Sequence, residues 1–365
     1  MARTRGLGPG TRGPQAWGRR TAPLYGPLRE TGWLLSGVPP RWIGYGGGPL
    51  TGLRSLRHRR AHERHDRPVR LHLLELHTTG LRFSNLVAWC VNERSRVCTA
   101  SSGPDPTGAD VVWVSCQDPL TPQVRAALDA VLGRLPRHVV VLNRPEHYDA
   151  YHRDDAFPRL AAAGVRVPRH AFGPDDVGRT RVVHKEQGDQ GSHKFTGVWD
   201  GPVPGYRAFE FEDGSGPDGL VRRYRASYLG GVVWPEQAVV SDGWNATLGS
   251  VVGVERAFDV TPHEAEQVRL VAQALGLDAF GVDYLRRRSD GLPVFLDVNV
   301  YPTPVETWTT GLRGRGLWHL HDAPLRAGVR PGNGRYPWEF FDEAIARVAG
   351  IAAPAAPQRS GTSPP

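Results

Sequence analysis

The sequence predicts an α/β unit followed by an α+β unit, with an arginine-rich tail in front of both. Three observations carry that reading. Up to about residue 68 the chain is low in complexity and rich in Gly, Pro and Arg. Such a composition buries too little apolar area to offset its conformational entropy. Between 69 and 168 short apolar runs alternate with segments of 3.6-residue period, the pattern of strands and helices in turn. From 169 to about 350 strand-like runs follow one another through turn residues, with two well-marked helices, and 351–365 reads as a second tail.

Charge follows the same division. The formal net charge is +8, yet residues 1–70 alone hold 14 Arg against three acids, so the remainder is net negative. A nucleic-acid partner is therefore expected only through the basic tail. No run approaches the ~20 apolar residues of a membrane span. Three cysteines, Cys90, Cys98 and Cys116, form no CxxC pair and read as buried small side chains in a reducing, cytoplasmic setting. Gly8, Gly10 and Gly13 spell G-x-G-x-x-G without a preceding strand, and His58, His62 and His65 lie in the tail; neither is read as a site.

In the first unit, RLHLLELH from about Val69, NLVAWCVN and ADVVWVSC are expected to be strands. Thr121-Pro122 opens a helix carrying Val124, Leu128, Val131, Leu132 and Leu135 on one face, ended by Pro136. HVVVLN returns as a strand, Ala156 to Ala163 as a helix, and Gly164 to Pro168 as another strand. In the second unit RTRVVHKE, YRAFEFE and LVRRYRASYLGGVVW are strands. Thr261-Pro262-His263-Glu264 starts a capped helix running to Gly276, and Trp338 to Ala349 closes the fold as a helix.

The hairpin DAFGVDYLRRR–SDG–LPVFLDVNV carries the chemistry. A three-residue loop with Gly291 left-handed sets Arg288 against Leu292, Asp283 against Asp297 and Gly281 against Asn299. Two carboxylates and a carboxamide then share one face, where opposed like charges repel unless a cation joins them. An all-oxygen set of this kind suits Mg²⁺ held partly by phosphates. Upstream, Lys185 stands before a loop containing Gly188, Gly191 and Ser192 whose backbone N–H groups can reach phosphate oxygens. Among 45 basic residues only Lys185 and Lys194 are lysine, so the compact ammonium is retained where arginine does not serve.

Taken in order, Asn143-Arg144-Pro145, AAAGVRVP, Lys185 before a Gly loop, Glu210-Phe211, YRASYLGG and LGLDAFGVDYLRRRSDGLPVFLDVNVYPTP resemble the ATP-grasp superfamily. The likeness is strongest to the glutathione synthetase and ribosomal-protein glutamate ligase type and covers about Val139 to Pro304. It implies an ATP-grasp fold over 169–350 behind a preceding α/β domain at 69–168. It further implies ATP phosphates on Lys185 and the loop of Gly188, Gly191 and Ser192, and adenine and ribose at Glu210, Phe211 and Glu212. Mg²⁺, or Mn²⁺ in its place, would be held by Asp283, Asp297 and Asn299, and Arg225 would lie near the transferred phosphoryl group. The implied activity joins a small-molecule or peptide carboxylate to an amine through an acylphosphate. A phosphotransferase or a nucleotide-binding module without turnover are the alternatives. The sequence departs from the family in having Asp297 where Glu is usual, and Arg153 where a further Lys is often found.

Overall fold

The computed structural model describes residues 67–76, 84, 87–88, 91–92, 95–116, 118–187, 193–245, 251–255, 258–300, 335 and 337–352. The expected tails therefore lie almost wholly outside the described residues. The first unit is a parallel four-stranded sheet in the order β2-β1-β3-β4, with β1 (Val69–Leu74), β2 (Cys98–Gly103), β3 (Val111–Val114) and β4 (Val140–Leu142). Helix α1 (Pro122–Leu132) starts as its sequence dictates: Thr121 Oγ accepts from Val124 N at 3.3 Å, and Pro122 needs no donor partner in the first turn. It ends at Gly133, before the proline expected to stop it. A short helix α2 (Pro145–Tyr148), a 3-10 turn (Ala150–His152) and α3 (Ala156–Ala162) follow β4.

Two strand expectations fail here. The described residues of NLVAWCVN are helical, because Ser84, Val87, Ala88 and Val91 are all buried at i, i+3, i+4 and i+7 spacing. A short apolar run does not separate the two periods, and the neighbouring serine decides it. Gly164 is a turn residue at φ 82°, and Val165 to Pro168 join no sheet. Arg166 O accepts from Phe295 N at 2.9 Å, while Arg166 N donates instead to Gln267 Oε1 at 3.1 Å. Pro168 has no N–H to continue a ladder.

The second unit has two antiparallel sheets. The smaller has the order β6-β5-β7, from β5 (Arg181–Glu186), β6 (Lys194–Val198) and β7 (Tyr206–Glu210). The larger runs β10-β9-β8-β11-β12, from β8 (Val221–Leu229), β9 (Val232–Ser241), β10 (Val251–Glu255), β11 (Ala279–Arg286) and β12 (Pro293–Asn299). Helix α4 (Pro262–Leu275) opens with a capping box in which Thr261 and Glu264 satisfy each other's backbone N–H groups, and buries Val268, Val271, Ala272 and Leu275. They share a core with Tyr224, Ala226, Val282 and Tyr284 of the large sheet. On the opposite face Leu229, Trp234 and Ala279 join Phe341, Ala344 and Ile345 of α5 (Pro337–Val348). The β8–β9 turn is Gly230-Gly231, both at positive φ, as a two-residue hairpin requires. A Cβ on Gly230 would meet Val348 Cγ2 at 2.5 Å, so glycine also permits the close approach of α5.

Asn143 joins the two units. It is fully buried in the left-handed region at φ 55°. Its Oδ1 accepts from Asp278 N and Ala279 N at 2.9 Å each, and its own N donates to Asp278 Oδ2 at 2.9 Å.

The hairpin register reaches its expected end by an unexpected route. Arg287 N donates to Leu292 O at 2.9 Å, so the loop has four residues rather than three, and next to it Arg286 faces Pro293 and Tyr284 faces Phe295. A bulge at Leu296 then restores the register, and Asp283 faces Asp297 while Gly281 faces Asn299. Gly291 is left-handed at φ 70°, as expected.

Candidate active site

The two lysines of the chain are cross-strand partners. In the small sheet Lys185 faces Lys194 on β6 and Arg207 on β7, giving a row of three cations on one face. Like charges so placed repel, so the row requires anions opposite it. Lys185 Nζ lies 3.2 Å from Asp297 Oδ1 and 5.6 Å from the centroid of the Tyr151 ring. Arg207 Nη2 lies 2.5 Å from Asp154 Oδ1. Burial lowers the pKa of Lys194, and Lys185 beside it adds to the effect against the pull of Asp297.

The larger sheet supplies the opposing groups. Cross-strand pairing places Arg225, Asp283 and Asp297 in one row, and Ser227, Gly281 and Asn299 in the next. Asp283, 2% exposed, takes Arg225 Nε at 2.6 Å and Nη2 at 2.9 Å, and Arg223 Nη1 lies 3.6 Å away. Burial raises the Asp283 pKa, but the two guanidiniums outweigh it and hold it down at about 2. Asp297 is likewise pushed up by burial and brought below its ordinary value by Lys185 and Lys194. Asn299 Nδ2 is buried without a hydrogen-bond partner among the described residues. The reverse face of these strands, with Tyr224 stacked on Tyr284 at 5.5 Å, is the α4 core. Alternation along β8, β11 and β12 thus separates an apolar face from a charged one.

Five of the expected residues, Lys185, Arg225, Asp283, Asp297 and Asn299, come together. Asp297 and Asn299 are half-buried with oxygen donors that suit a divalent cation, whereas both Asp283 oxygens are occupied by arginine. Among the described residues no three His, Cys, Asp or Glu side chains gather as a metal cage. A cation here would therefore draw on Asp297, on Asn299 and on oxygens brought by a ligand. Glu210, Phe211 and Glu212 lie at the end of β7, apart from this cluster. Glu210 accepts from Arg169 Nε at 2.9 Å, and the Arg181 guanidinium lies 3.7 Å from the Phe211 ring centroid. Burial raises the Glu212 pKa, with Arg287 pulling it back. Gly188, Gly191 and Ser192 lie outside the described residues.

Sequence reasoning did not place Lys194, Arg207, Arg223, Tyr151 or Glu236 in the site. Lys194 carried a signal, its rarity; Arg207, Arg223 and Glu236 become visible only once strands are paired, and Tyr151, in the 3-10 turn, only through its contacts with Lys185 and Leu296. Arg153, by contrast, donates to Glu146 O and is exposed, so the second ammonium of the site comes from β6. Cys98 and Cys116 are buried as expected, their thiols pushed up by burial to about 12 and about 11, while Cys90 lies outside the described residues. Among the described residues no helix is long and apolar enough to cross a membrane.

No family model matches the sequence, and no curated protein matches it. Among solved structures, the chain is similar to the ATP-grasp ligase PsnB complexed with precursor peptide PsnA2 and AMPPNP, at 13% identity over 77% of this chain and 98% of that one, with a TM-score of 0.45. Macrocyclase MdnC from Microcystis aeruginosa MRC, bound with precursor peptide MdnA, is 12% identical over 65% of this chain and 92% of that one, with a TM-score of 0.41. The D-alanine–D-alanine ligase of Bacillus anthracis is 12% identical over 64% of this chain and 87% of its own, with a TM-score of 0.40.

Proposed function

We propose that this chain is an ATP-dependent ligase that joins a carboxylate to an amine through an acylphosphate, with Mg²⁺ as its cation. The observation that carries the reading is the cation row Lys194–Lys185–Arg207 set against Asp297 and its neighbours Asn299, Asp283 and Arg225. A polyphosphate satisfies the row that its own like charges destabilise. A divalent cation shared by Asp297, Asn299 and phosphate oxygens would neutralise charge developing on the transferred group.

In this reading Lys185 and Lys194 hold the phosphates as point charges, the role for which ammonium is better suited than guanidinium. The substrate carboxylate attacks the γ-phosphorus, the bond to ADP breaks, and Arg225 faces the equatorial oxygens. The neutral amine then adds to the acyl carbon, the C–O bond to phosphate breaks, and the proton shed by the nitrogen leaves with the phosphate. Glu210, Phe211 and Glu212 are the proposed adenine and ribose residues, with Gly188, Gly191 and Ser192 over the phosphates. The arrangement needs no protein nucleophile, consistent with two buried cysteines whose thiols resist ionisation.

The test is a thermal melt of the full chain with ADP, with and without Mg²⁺, beside Lys185→Ala and Asp297→Asn. Ligand at a hundred times its Kd should stabilise by about 3 kcal/mol. The stabilisation should require Mg²⁺ and vanish in both variants. A folded protein that shows no Mg²⁺-dependent shift would overturn the reading.

A further inference from the structure

The charged face of the large sheet does not end at Arg225. One strand further, on β9, pairing with β8 skips a residue: Arg225 faces Gln237 and Ala226 faces Pro235, so Glu236 is the extra residue of a bulge. Bulges re-aim side chains, and this one is reinforced by Pro235, which has no N–H for the ladder. Glu236 is turned onto the charged face, where its carboxylate accepts from Ser227 Oγ. Gln237, at the register position opposite Arg225, is 6% exposed, and its Oε1 has no partner among the described residues. Between Ser227 and Asn299 the middle strand carries Gly281, where the nearest atom to a Cβ would be Arg225 Cδ at 3.9 Å. Among the described residues no other atom beyond its chain neighbours comes within 4 Å of that position.

We infer that Glu236, Gln237 Oε1 and Ser227 Oγ form a subsite for a primary ammonium group, the amine substrate of the ligase proposed above. Three acceptors match the three N–H donors of an alkylammonium ion. The other carboxylates are committed, Asp283 to Arg225 and Arg223 and Asp297 to Lys185, whereas Glu236 has the neutral Ser227 hydroxyl as its bonded partner. Burial raises the pKa of Glu236 against the opposing pull of Arg225 and Ser227, with Asp283 adding to the rise. A cation placed beside it relieves that burial cost. Position agrees as well: β9 lies beyond Arg225 on the side away from the lysines, and the Glu236 carboxylate that holds the ammonium can take one proton from it, so that the neutral amine adds to the acyl carbon and the C–O bond to phosphate breaks. The substrate class follows as an aliphatic primary amine, such as a lysine side chain or an amino-acid α-amine, rather than a hydroxyl or a carboxamide.

The inference rests on the ligase reading for the fate of the amine, but ammonium binding is measured without nucleotide or turnover. Ethylammonium chloride and tetramethylammonium chloride are titrated against the full chain at constant ionic strength, with binding followed by ligand-observed NMR. Glu236→Gln and Gln237→Leu are run beside the wild type, and circular dichroism establishes their folding. Saturable binding of ethylammonium, weakened at least tenfold in both variants and absent for tetramethylammonium, which has no N–H donors, is the expected result. Equal binding of the two cations, unchanged binding in Glu236→Gln, or no saturable binding to the wild type would overturn the subsite. An ADP melt in the same preparations separates the two readings: if Mg²⁺·ADP stabilises Glu236→Gln as it does the wild type, a lost ammonium signal belongs to the subsite. If ethylammonium binds while ADP does not, the nucleotide reading fails and the subsite stands.

Discussion

Replacing Asp283 by Asn removes one negative charge from beneath two guanidiniums and leaves the shape of the side chain nearly unchanged. The magnitude follows from two independent routes. Holding a carboxyl at about 2 instead of its ordinary 3.8 corresponds to roughly 2–3 kcal/mol of favourable interaction with its surroundings. Removing one partner of a buried ion pair generally costs about 3–5 kcal/mol, and the Asn oxygen recovers part of that by accepting from Arg225. A loss of about 3 kcal/mol is therefore expected, which lowers the melting temperature by roughly 6–12 °C for a structured region of this size. Because the Asp283 pKa is depressed, its contribution is complete above about pH 4 and is lost as pH falls toward 2. The deficit of the variant should then be constant from pH 5 to pH 8. Urea unfolding of wild type, Asp283→Asn, Arg225→Gln and the double variant across that range supplies the measurement. The double variant should be less impaired than the two single losses combined. A single variant within about 0.5 kcal/mol of wild type would refute the reasoning, since the pair would then gain no more from attraction than it loses to desolvation.

Two further predictions concern the first unit. Asn143→Ala removes three side-chain hydrogen bonds to the Asp278-Ala279 backbone, two accepted by Oδ1 and one donated by Nδ2 to Ala279 O, and puts alanine at φ 55°, so it should cost about 2–4 kcal/mol in urea unfolding; Asn143→Gly should recover only the backbone part. His152 Nε2 lies 2.8 Å from Asp118 Oδ2, and although burial lowers its pKa, Asp118 outweighs this and raises it above 6.5. A raised pKa means the stabilisation is present in full below pH 6.5 and fades as pH climbs through the folded value. His152→Gln should accordingly lose up to about 1 kcal/mol at pH 5.5 and little at pH 8.5, read as a difference in melting temperature between the two pH values.

Much of the site was legible because its residues lie on strands whose alternation can be counted. Asp283, Asp297 and Asn299 fall on one face by parity, and the capped start at Thr261 fixes where the helix before them begins. The cation row was not legible as a row. β6 reads KFTGV, with a glycine and two polar residues, so it offers no alternation, and only pairing with β5 sets Lys194 opposite Lys185. Glu236 was hidden for the same reason, since a bulge breaks the parity that sequence counting uses. The misread NLVAWCVN run shows the converse, an apolar stretch that fits both periods and is settled by packing.

The agreement of Asp283 with Asp297 came from two departures that compensate, a loop one residue longer than expected and a bulge one residue further on. That compensation makes a sharp prediction. Deleting Leu296, the extra residue of the bulge, leaves the pairs from Tyr284–Phe295 to Arg286–Pro293 intact and brings Asp297 directly after Phe295, still opposite Asp283. Phe295, Asp297, Val298 and Asn299 then alternate without interruption between the α4 core and the charged face, so Asp297 and Asn299 keep their side and Val298, 3% exposed, keeps its place in that core. What the deletion removes is the contact of Tyr151 Oη with Leu296 O at 2.9 Å, which seats Tyr151 beside Lys185. Removing Ser289 also keeps the register, because the bulge still aligns the strands beyond it and Ser289 belongs to no paired strand. Both deletions are compared by melting temperature and by Mg²⁺-dependent stabilisation with ADP. Both should keep the nucleotide response, with the Leu296 deletion the less stable of the two by the lost Tyr151 contact. If the Leu296 deletion alone abolishes the response, the ladder does not close over the missing residue, and the bulge itself is what holds Asp297 and Asn299 on the charged face.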